Sequence, residues 1–420
     1  MKNSVKHFSM SGDILGSTST AIGFTSVNSA STFELIGSSF TSCRSEDSAP
    51  ALSIDTKGEI RFTDLSFYDT EGDCGAVSIR LHDTTNFQKT DSPMKFVNTR
   101  ARRNGGAICL KSSSPSVFID LGTFDFSMTS CDNNGGAIYI EGPGKFRLAD
   151  FVETVDSSAM NYGAILYAKE VTSIEIANSV FVSPVLSTSS SMSGSFYIQD
   201  SEYFFMTNVT VDYRNAVQGD GGIASLHNLK SVTVTDSSFT NGGAAFGVGG
   251  AFLLDSITSF EIQNSEFHNC VARKGAAIAC MGESRHVDIS GVSFYNSVST
   301  ELDKEHVDVF SDGSCLSSFW DSQSPCPEMG KSCKGSVNSL AMITADGDGQ
   351  CFCYCGDSLC GETDLHSAMY RLNYIVGSIL LLGVLFQIFF LFLLIKRILQ
   401  RKLTQPWGEL ETLELNPYVV

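Results

Sequence analysis

The sequence predicts an all-β protein whose main part is a right-handed parallel β-helix of about ten coils, each about 28 residues long. The first observation behind this prediction is a pair of motifs that recur in step along the chain. The second is composition, because only 18% of the residues are charged while 37 are glycine and 30 are phenylalanine. Many β-formers and turn residues favour short strands joined by tight corners. The third observation is the length of the repeat, which is shorter than the roughly 40–50 residues of a propeller blade. A β-sandwich is disfavoured because its strands do not repeat internally.

The first motif is a turn of small residues followed by an apolar strand. Glycine at the strand entry allows either a positive φ or a close approach of two backbones at a corner. The motif occurs as DCGAVSI (73–79), NGGAICL (104–110), NNGGAIYI (133–140), NYGAILY (161–167), MSGSFYI (192–198), GDGGIASL (219–226), VGGAFLL (248–254) and KGAAIAC (274–280).

The second motif is an alternating strand that ends on an apolar anchor, usually phenylalanine. The anchors lie 27 to 30 residues apart, at positions 40, 67, 96, 124, 151, 181, 211, 239, 267 and 294. An asparagine follows two residues after several anchors, and Asn241, Asn269 and Asn296 fall on consecutive coils, where their amides can form a ladder.

One coil holds about three short strands, which cannot bury an apolar face alone. Stacked coils pair each strand in parallel with its equivalents above and below, and the anchors then form apolar columns inside. Parallel crossovers favour the right-handed sense. We therefore assign residues 21–310 to the β-helix and predict that Phe239 and Phe267 are buried neighbours.

Residues 1–20 contain no apolar run that resembles a signal peptide. Strand-like sequence begins at position 21 without a polar cap for the first coil, although solenoids need capped ends. We expect these residues either to fold over the open end or to reflect a truncated gene model.

An uncharged run at 375–395 is long enough to cross a bilayer as a helix, so we predict a transmembrane helix over 373–395. Four basic residues follow it, and the positive-inside rule makes 396–420 a cytoplasmic tail. The predicted protein is thus a single-pass plasma-membrane protein in contact with lipid, whose N-terminal region is extracellular. The net charge of -18 argues against nucleic acid as a partner.

Residues 311–368 form a predicted cysteine-rich module between the β-helix and the membrane helix. Close cysteine spacing outside the cell favours disulfides over zinc. The candidates are Cys315, Cys326, Cys333, Cys351, Cys353, Cys355 and Cys360. Seven is an odd number, so one thiol pairs elsewhere or stays free. The six cysteines within the repeat are expected to be small buried apolar residues.

The GGA[IL] turns and the Phe-x-Asn motif resemble the polymorphic outer membrane proteins of chlamydiae, whose repeats carry GGAI and FxxN motifs. The layout is closest to trichomonad surface proteins of the same repeat type, which end in one membrane helix and a short tail. The resemblance covers about residues 20–310 and 370–420, with one residue fewer between Phe and Asn than in the chlamydial motif. It implies a surface-exposed role in adhesion, although such repeats define fold better than function.

Few residues suggest a chemical site. Asp64, Asp150 and Asp236 recur near one repeat position, where turn capping is favoured over calcium binding because no basic partner keeps step. No motif predicts a catalytic residue, a metal or a cofactor. Asn208 begins the one glycosylation sequon. The tail residues Asn416, Pro417, Tyr418 and Val420 suggest either a sorting-adaptor signal, a PDZ-like ligand or a plain solvated end.

These features predict a non-catalytic adhesin or interaction scaffold that binds proteins or glycans on host or neighbouring cells. The alternative is a carbohydrate-active β-helix enzyme, either a polysaccharide lyase or a hydrolase. Two segments, 182–194 and 212–221, widen the spacing between repeats and are the best candidates for binding loops.

Overall fold

The computed structural model describes residues 7–311 except for gaps at 90–91, 151, 156, 184–191, 193, 214–215, 285 and 301–307, and then the backbone of 341–345, 351–355, 358–359 and 395–396. Its architecture is a parallel β-solenoid of about ten coils, as the repeats predict. The predictions for the remainder of 312–420, including the membrane helix and the tail, concern residues outside the described ones.

The strands in chain order are β1 His7–Leu15, β2 Ile22–Ser26, β3 Thr32–Thr41, β4 Leu52–Thr56, β5 Glu59–Tyr68, β6 Glu71–Gly72, β7 Val77–Leu81, β8 Asn86–Lys89, β9 Met94–Val97, β10 Arg100–Ala101, β11 Ile108–Ser112, β12 Phe118–Asp120, β13 Phe124–Ser127, β14 Ser130–Cys131, β15 Ile138–Glu141, β16 Lys145–Ala149, β17 Val152–Val155, β18 Ser158–Ala159, β19 Leu166–Lys169, β20 Ser173–Ser183, β21 Phe196–Gln199, β22 Tyr203–Tyr213, β23 Ala216–Val217, β24 Ala224–His227, β25 Ser231–Thr235, β26 Ser238–Thr240, β27 Gly243–Val248, β28 Phe252–Asp255, β29 Ser259–Gln263, β30 Glu266–His268, β31 Val271–Lys274, β32 Ile278–Met281, β33 His286–Ser290, β34 Ser293–Tyr295, β35 Val298–Ser299, β36 Val309–Ser311, β37 Ala341–Ala345, β38 Cys351–Cys355 and β39 Ser358–Leu359.

Three faces surround the core of the solenoid. Face A is a 17-stranded sheet that takes one bent strand or two short strands from each coil, and face B is a 14-stranded sheet that takes one strand. Face C consists of two four-stranded sheets, β6–β10–β14–β18 and β23–β27–β31–β35, built from very short strands. One continuous apolar core runs between them, from Ile22 to Val309.

The phenylalanine anchors stack inside face A. Phe239 and Phe267 are fully buried register partners with ring centroids 5.1 Å apart, which confirms the predicted pair. They are 28 residues apart in sequence, as are the partners Ser231 and Ser259 in the preceding strands. One coil in this part of the solenoid is therefore 28 residues long.

Two of the ten predicted anchors were wrong by two residues. The register partner of Phe96 is Phe126 rather than Phe124, and the position that follows in the same column is Glu153 rather than Phe151. Phe124 and Phe126 alternate on one strand and are both fully buried. Spacing alone could not choose between them.

The glycine pair of the first motif serves both purposes that the sequence suggested. Gly135 has a φ of +72°, a left-handed conformation that residues with a Cβ rarely adopt. Gly136 lies so close to the coil above that a Cβ would overlap the carbonyl oxygen of Ala164. The first glycine therefore turns the chain and the second allows the coils to stack.

A second corner bends the chain within face A, and buried serines stabilise it. Asp236 adopts a left-handed φ of +52° at this corner. The Ser237 hydroxyl donates to the carbonyl of Thr235 over 2.7 Å and accepts the N–H of Val209, in the coil below, over 3.1 Å. The corner thus satisfies backbone groups that would otherwise be buried without partners.

Both ends of the described solenoid extend beyond the predicted repeat. Strand β1 pairs in parallel with β3, and Phe8 stacks on Phe33 with ring centroids 5.3 Å apart. Residues 7–15 therefore belong to face A, although they lie within residues 1–20, which were predicted to precede the β-helix. At the other end, β37 pairs antiparallel with β36, and β38 and β39 continue that antiparallel order.

None of the helices within the described residues is long and apolar enough to span a membrane.

Candidate binding cleft on face B

The sequence-predicted site residues fall in two groups. The side chains of the cysteine-rich module and of the tail lie outside the described residues, although β38 gives the backbone of Cys351–Cys355. Asn208 is described and exposed. It has a φ of +53° and donates from its amide to Asn178 over 2.9 Å, so the sequon lies at the face A corner.

The predicted amide ladder is present in part. Asn269 donates to the Asn241 side chain over 3.5 Å, and Asn241 donates to Asp212 over 2.6 Å. Asp64, Asp150 and Asp236 all have a φ between +50° and +56°, which supports their interpretation as turn residues.

The expectation for the six cysteines within the repeat was right for three of them. Cys43, Cys131 and Cys270 are buried and free, and burial raises the pKa of the Cys270 thiol to about 12. It was wrong for Cys74 and Cys109, which form a disulfide with Cα atoms 6.0 Å apart. Their sequence separation of 35 exceeds one coil, so the bond ties the corner of one coil to the strand of the next.

Cys280 is buried, as expected of the cysteines within the repeat, but it is disulfide-bonded.

The most distinctive surface feature is a column of tyrosines on the outer side of face B. In β15, Ile138 and Ile140 enter the main core, and Tyr139 between them projects to the opposite side of the sheet. Tyr139 is in register with Tyr167, and Tyr167 with Tyr197. We call these three residues the tyrosine ladder.

The rings of the ladder stack almost in parallel. The centroids of Tyr139 and Tyr167 are 5.3 Å apart with an interplanar angle of 1°, and those of Tyr167 and Tyr197 are 5.4 Å apart with an angle of 2°. Tyr162 packs beside the ladder, and the centroid of its ring is 4.5 Å from that of Tyr197. Tyr139 and Tyr167 are consequently only 8% and 7% exposed, although they lie outside the core.

Each end of the ladder has a different neighbour. Cys109 precedes Tyr139 in the column, so the disulfide lies at the lower end. At the upper end the next position is Ser225, followed by Leu253. A small side chain thus interrupts a column of large ones.

Burial and neighbouring groups change the acidity of the tyrosines. Burial comes first among the causes that raise the pKa of Tyr167 to about 12, followed by the charges of Glu141 and Asp200. Burial likewise raises the pKa of Tyr197 to about 12. Both hydroxyls therefore stay protonated to a higher pH than that of a free tyrosine.

A cleft of about 410 Å³ lies at the interruption of the column. Tyr197 and Tyr162 line one side and Leu253 lines the other, with Ser225 between them. Its volume is within the range of roughly 300–1,000 Å³ found for small-molecule sites. The missing fourth tyrosine therefore leaves space on the surface.

Polar groups lie around the apolar walls of the cleft. His227 packs over Tyr197 with ring centroids 5.0 Å apart, and its Nδ1 lies 3.2 Å from a carboxylate oxygen of Asp255. The Ser225 hydroxyl donates to the backbone carbonyl of Asp220 over 2.8 Å. The Asp220 carboxylate accepts the N–H of Val248 over 2.8 Å, which fixes its position in the wall.

Both segments that the sequence singled out as binding loops contribute to this cleft. Met192, from 182–194, is 54% exposed and lines it, as do Gln218 and Gly219 from 212–221. A Cβ at Gly219 would overlap the Met192 carbonyl oxygen, so the two segments touch. The sequence therefore indicated both segments, but 212–221 is not one loop, because it includes the end of β22 and the whole of β23.

The tyrosine ladder was not predicted from the sequence, although a signal for it is present there. Tyr139, Tyr167 and Tyr197 occupy one position of the glycine motif in three successive coils. Tyrosine at an outward position of a repeated strand is the pattern that would have revealed it.

Comparisons with protein-family models, with curated proteins and with solved structures find no significant match to this chain.

Proposed function

We propose that this protein is a non-catalytic adhesin or interaction scaffold of the cell surface that binds a partner on another cell through the cleft on face B. The predicted membrane helix at 373–395 anchors the chain, and the solenoid extends outside the cell. The right-handed winding and the likeness to the chlamydial and trichomonad repeats belong to the same proposal.

The observation that carries the proposal is the cleft at the upper end of the tyrosine ladder. It combines exposed apolar surface at Met192 with polar groups held in place by hydrogen bonds. Well-formed apolar pockets with a few convergent polar groups are the usual form of a binding site. Inward side chains fill the core, which leaves Met192, Gln218 and Gly219 at the surface to contact a partner.

The test fills the cleft in the full-length chain displayed on cells. Ser225→Tyr adds the fourth ring of the ladder, because Ser225 is in register with Tyr197. The matched control is Ser53→Tyr, at the same column position of a distant coil. Attachment of the cells to a target-cell layer is expected to fall with Ser225→Tyr and to stay unchanged with Ser53→Tyr.

Two results would contradict the proposal. One is equal attachment by both variants at equal surface expression. The other is a C-terminal tag that antibodies reach on intact cells, since this would remove the predicted topology.

A further inference from the structure

We infer that the cleft on face B binds a neutral sugar residue of a cell-surface glycan. This inference rests on the proposed function and specifies its ligand. Three properties of the cleft lead to it: its shape, its mixed lining and its charge.

The shape suits a ring. The cleft lies where the column changes from Tyr197 to Ser225 and then to Leu253, so its walls are one coil on either side of a small residue. Neighbouring strands are about 4.8 Å apart, so these walls are about two strand spacings apart. A single six-membered ring with its substituents fits such a space, whereas a folded protein element is too wide.

The lining suits a molecule that is apolar on its faces and polar at its edge. Leu253 and Met192 supply apolar contact, and the rings of Tyr162 and Tyr197 line the cleft beside them. Gln218, Asp220 and His227 supply donors and acceptors around them. A sugar ring has this distribution, with C–H groups on its faces and hydroxyls at its edge. Sites that hydrogen-bond hydroxyls discriminate strongly against analogues that lack them.

The charge argues against anionic ligands. Neither lysine nor arginine is among the described residues that line the cleft, and the carboxylates of Asp220 and Asp255 are close by. An acidic sugar, a sulfate or a phosphate would meet negative charge without a cationic partner.

A cationic ligand is disfavoured for a different reason. Tyr197 packs between Tyr167 and His227, so its ring is contacted on both faces. A cation held by an aromatic ring needs an open face, which Tyr197 does not offer.

The experiment uses the full-length chain purified in detergent and an array of defined oligosaccharides. The probes are glycans ending in galactose, glucose or mannose, and the same glycans carrying a terminal sialic acid or a sulfate. Binding to at least one neutral series is expected, with a loss of at least about tenfold for Ser225→Tyr and none for Ser53→Tyr.

Binding confined to the acidic glycans would overturn the inference, as would equal binding by the two variants. Removal of N- and O-linked glycans and of glycolipid headgroups from the target cells separates this failure from failure of the proposed function. If cells still attach after the treatment and Ser225→Tyr still abolishes attachment, the cleft binds a protein and the sugar inference is wrong. Loss of attachment on treatment, with sensitivity to Ser225→Tyr, supports it.

Discussion

Two aromatic stacks run along this solenoid with the same spacing, one inside it and one outside. The inner stack includes Phe239, Phe267 and Phe294, with centroids 5.1 Å and 5.3 Å apart. The outer stack is the tyrosine ladder, at 5.3 Å and 5.4 Å. The coil rise dictates the distance in both cases, so ring spacing alone does not distinguish the two stacks.

The two stacks differ in how many coils they cover and in whether they are continuous. Inward phenylalanines occur from the first coils to the last, because every coil must bury apolar surface. The tyrosine ladder covers three coils and stops at a disulfide on one side and a cleft on the other. A side-chain column that begins and ends within a uniform scaffold marks a local purpose.

The largest effect is expected in the inner stack. Phe267→Ala removes a fully buried ring and leaves a cavity, so the free energy of unfolding should fall by about 3–5 kcal/mol. Phe246→Ala is the matched control, because that side chain is 77% exposed and its loss should change stability by less than about 0.5 kcal/mol. Denaturant unfolding followed by circular dichroism measures both, and a loss under about 1 kcal/mol for Phe267→Ala would show that the inner stack is not structural.

A smaller effect is expected at the lower end of the tyrosine ladder. The free energy of unfolding should fall by about 2–4 kcal/mol in the double variant Cys74→Ala, Cys109→Ala, because the disulfide restricts the unfolded chain. The control is Cys131→Ala, which removes a buried but free thiol and should cost less. Equal losses in the same unfolding measurement would mean that the bond does not stabilise the ladder.

The smallest effect concerns the acidity of the outer stack. Tyrosines that ionise near pH 10.0 when free are held protonated in the folded chain, with a pKa of about 12 for Tyr167 and Tyr197. The folded state therefore binds these protons more tightly, and the stability they contribute is full below pH 10 and falls as the pH rises towards 12.

Tyrosinate absorbance during an alkaline titration measures this shift directly. A late-ionising group of tyrosines is expected in the native chain and should be absent in denaturant. Tyr167→Phe should reduce its amplitude. A native titration that matches the denatured one would show that the ladder is open to solvent.

The repeat made the fold predictable, because about ten coils carry the same inward residues. Errors arose where one strand offered two inward aromatics, as at Phe124 and Phe126. The disulfide between Cys74 and Cys109 was missed because its two residues are not register partners; Cys109 is in register with Ser78. The cleft was not predicted because it arises where a small residue, Ser225, follows the tyrosines in the column. A single serine in place of a tyrosine is not a recognisable sequence motif. Segment 182–194 was found because its coil is 30 residues long, from Phe181 to the register partner Val211, whereas 212–221 lies in a coil of 28.

The constant register of neighbouring coils has an evolutionary consequence. Ser231 pairs with Ser259 and Phe239 with Phe267, so duplicating residues 231–258 would insert a coil without shifting any strand partner. The cleft would persist, because Ser225 would still be followed by a copy of Leu253. Each such event would lengthen the molecule by about 4.8 Å. Recombination between repeats can therefore change the length of the solenoid without changing the cleft.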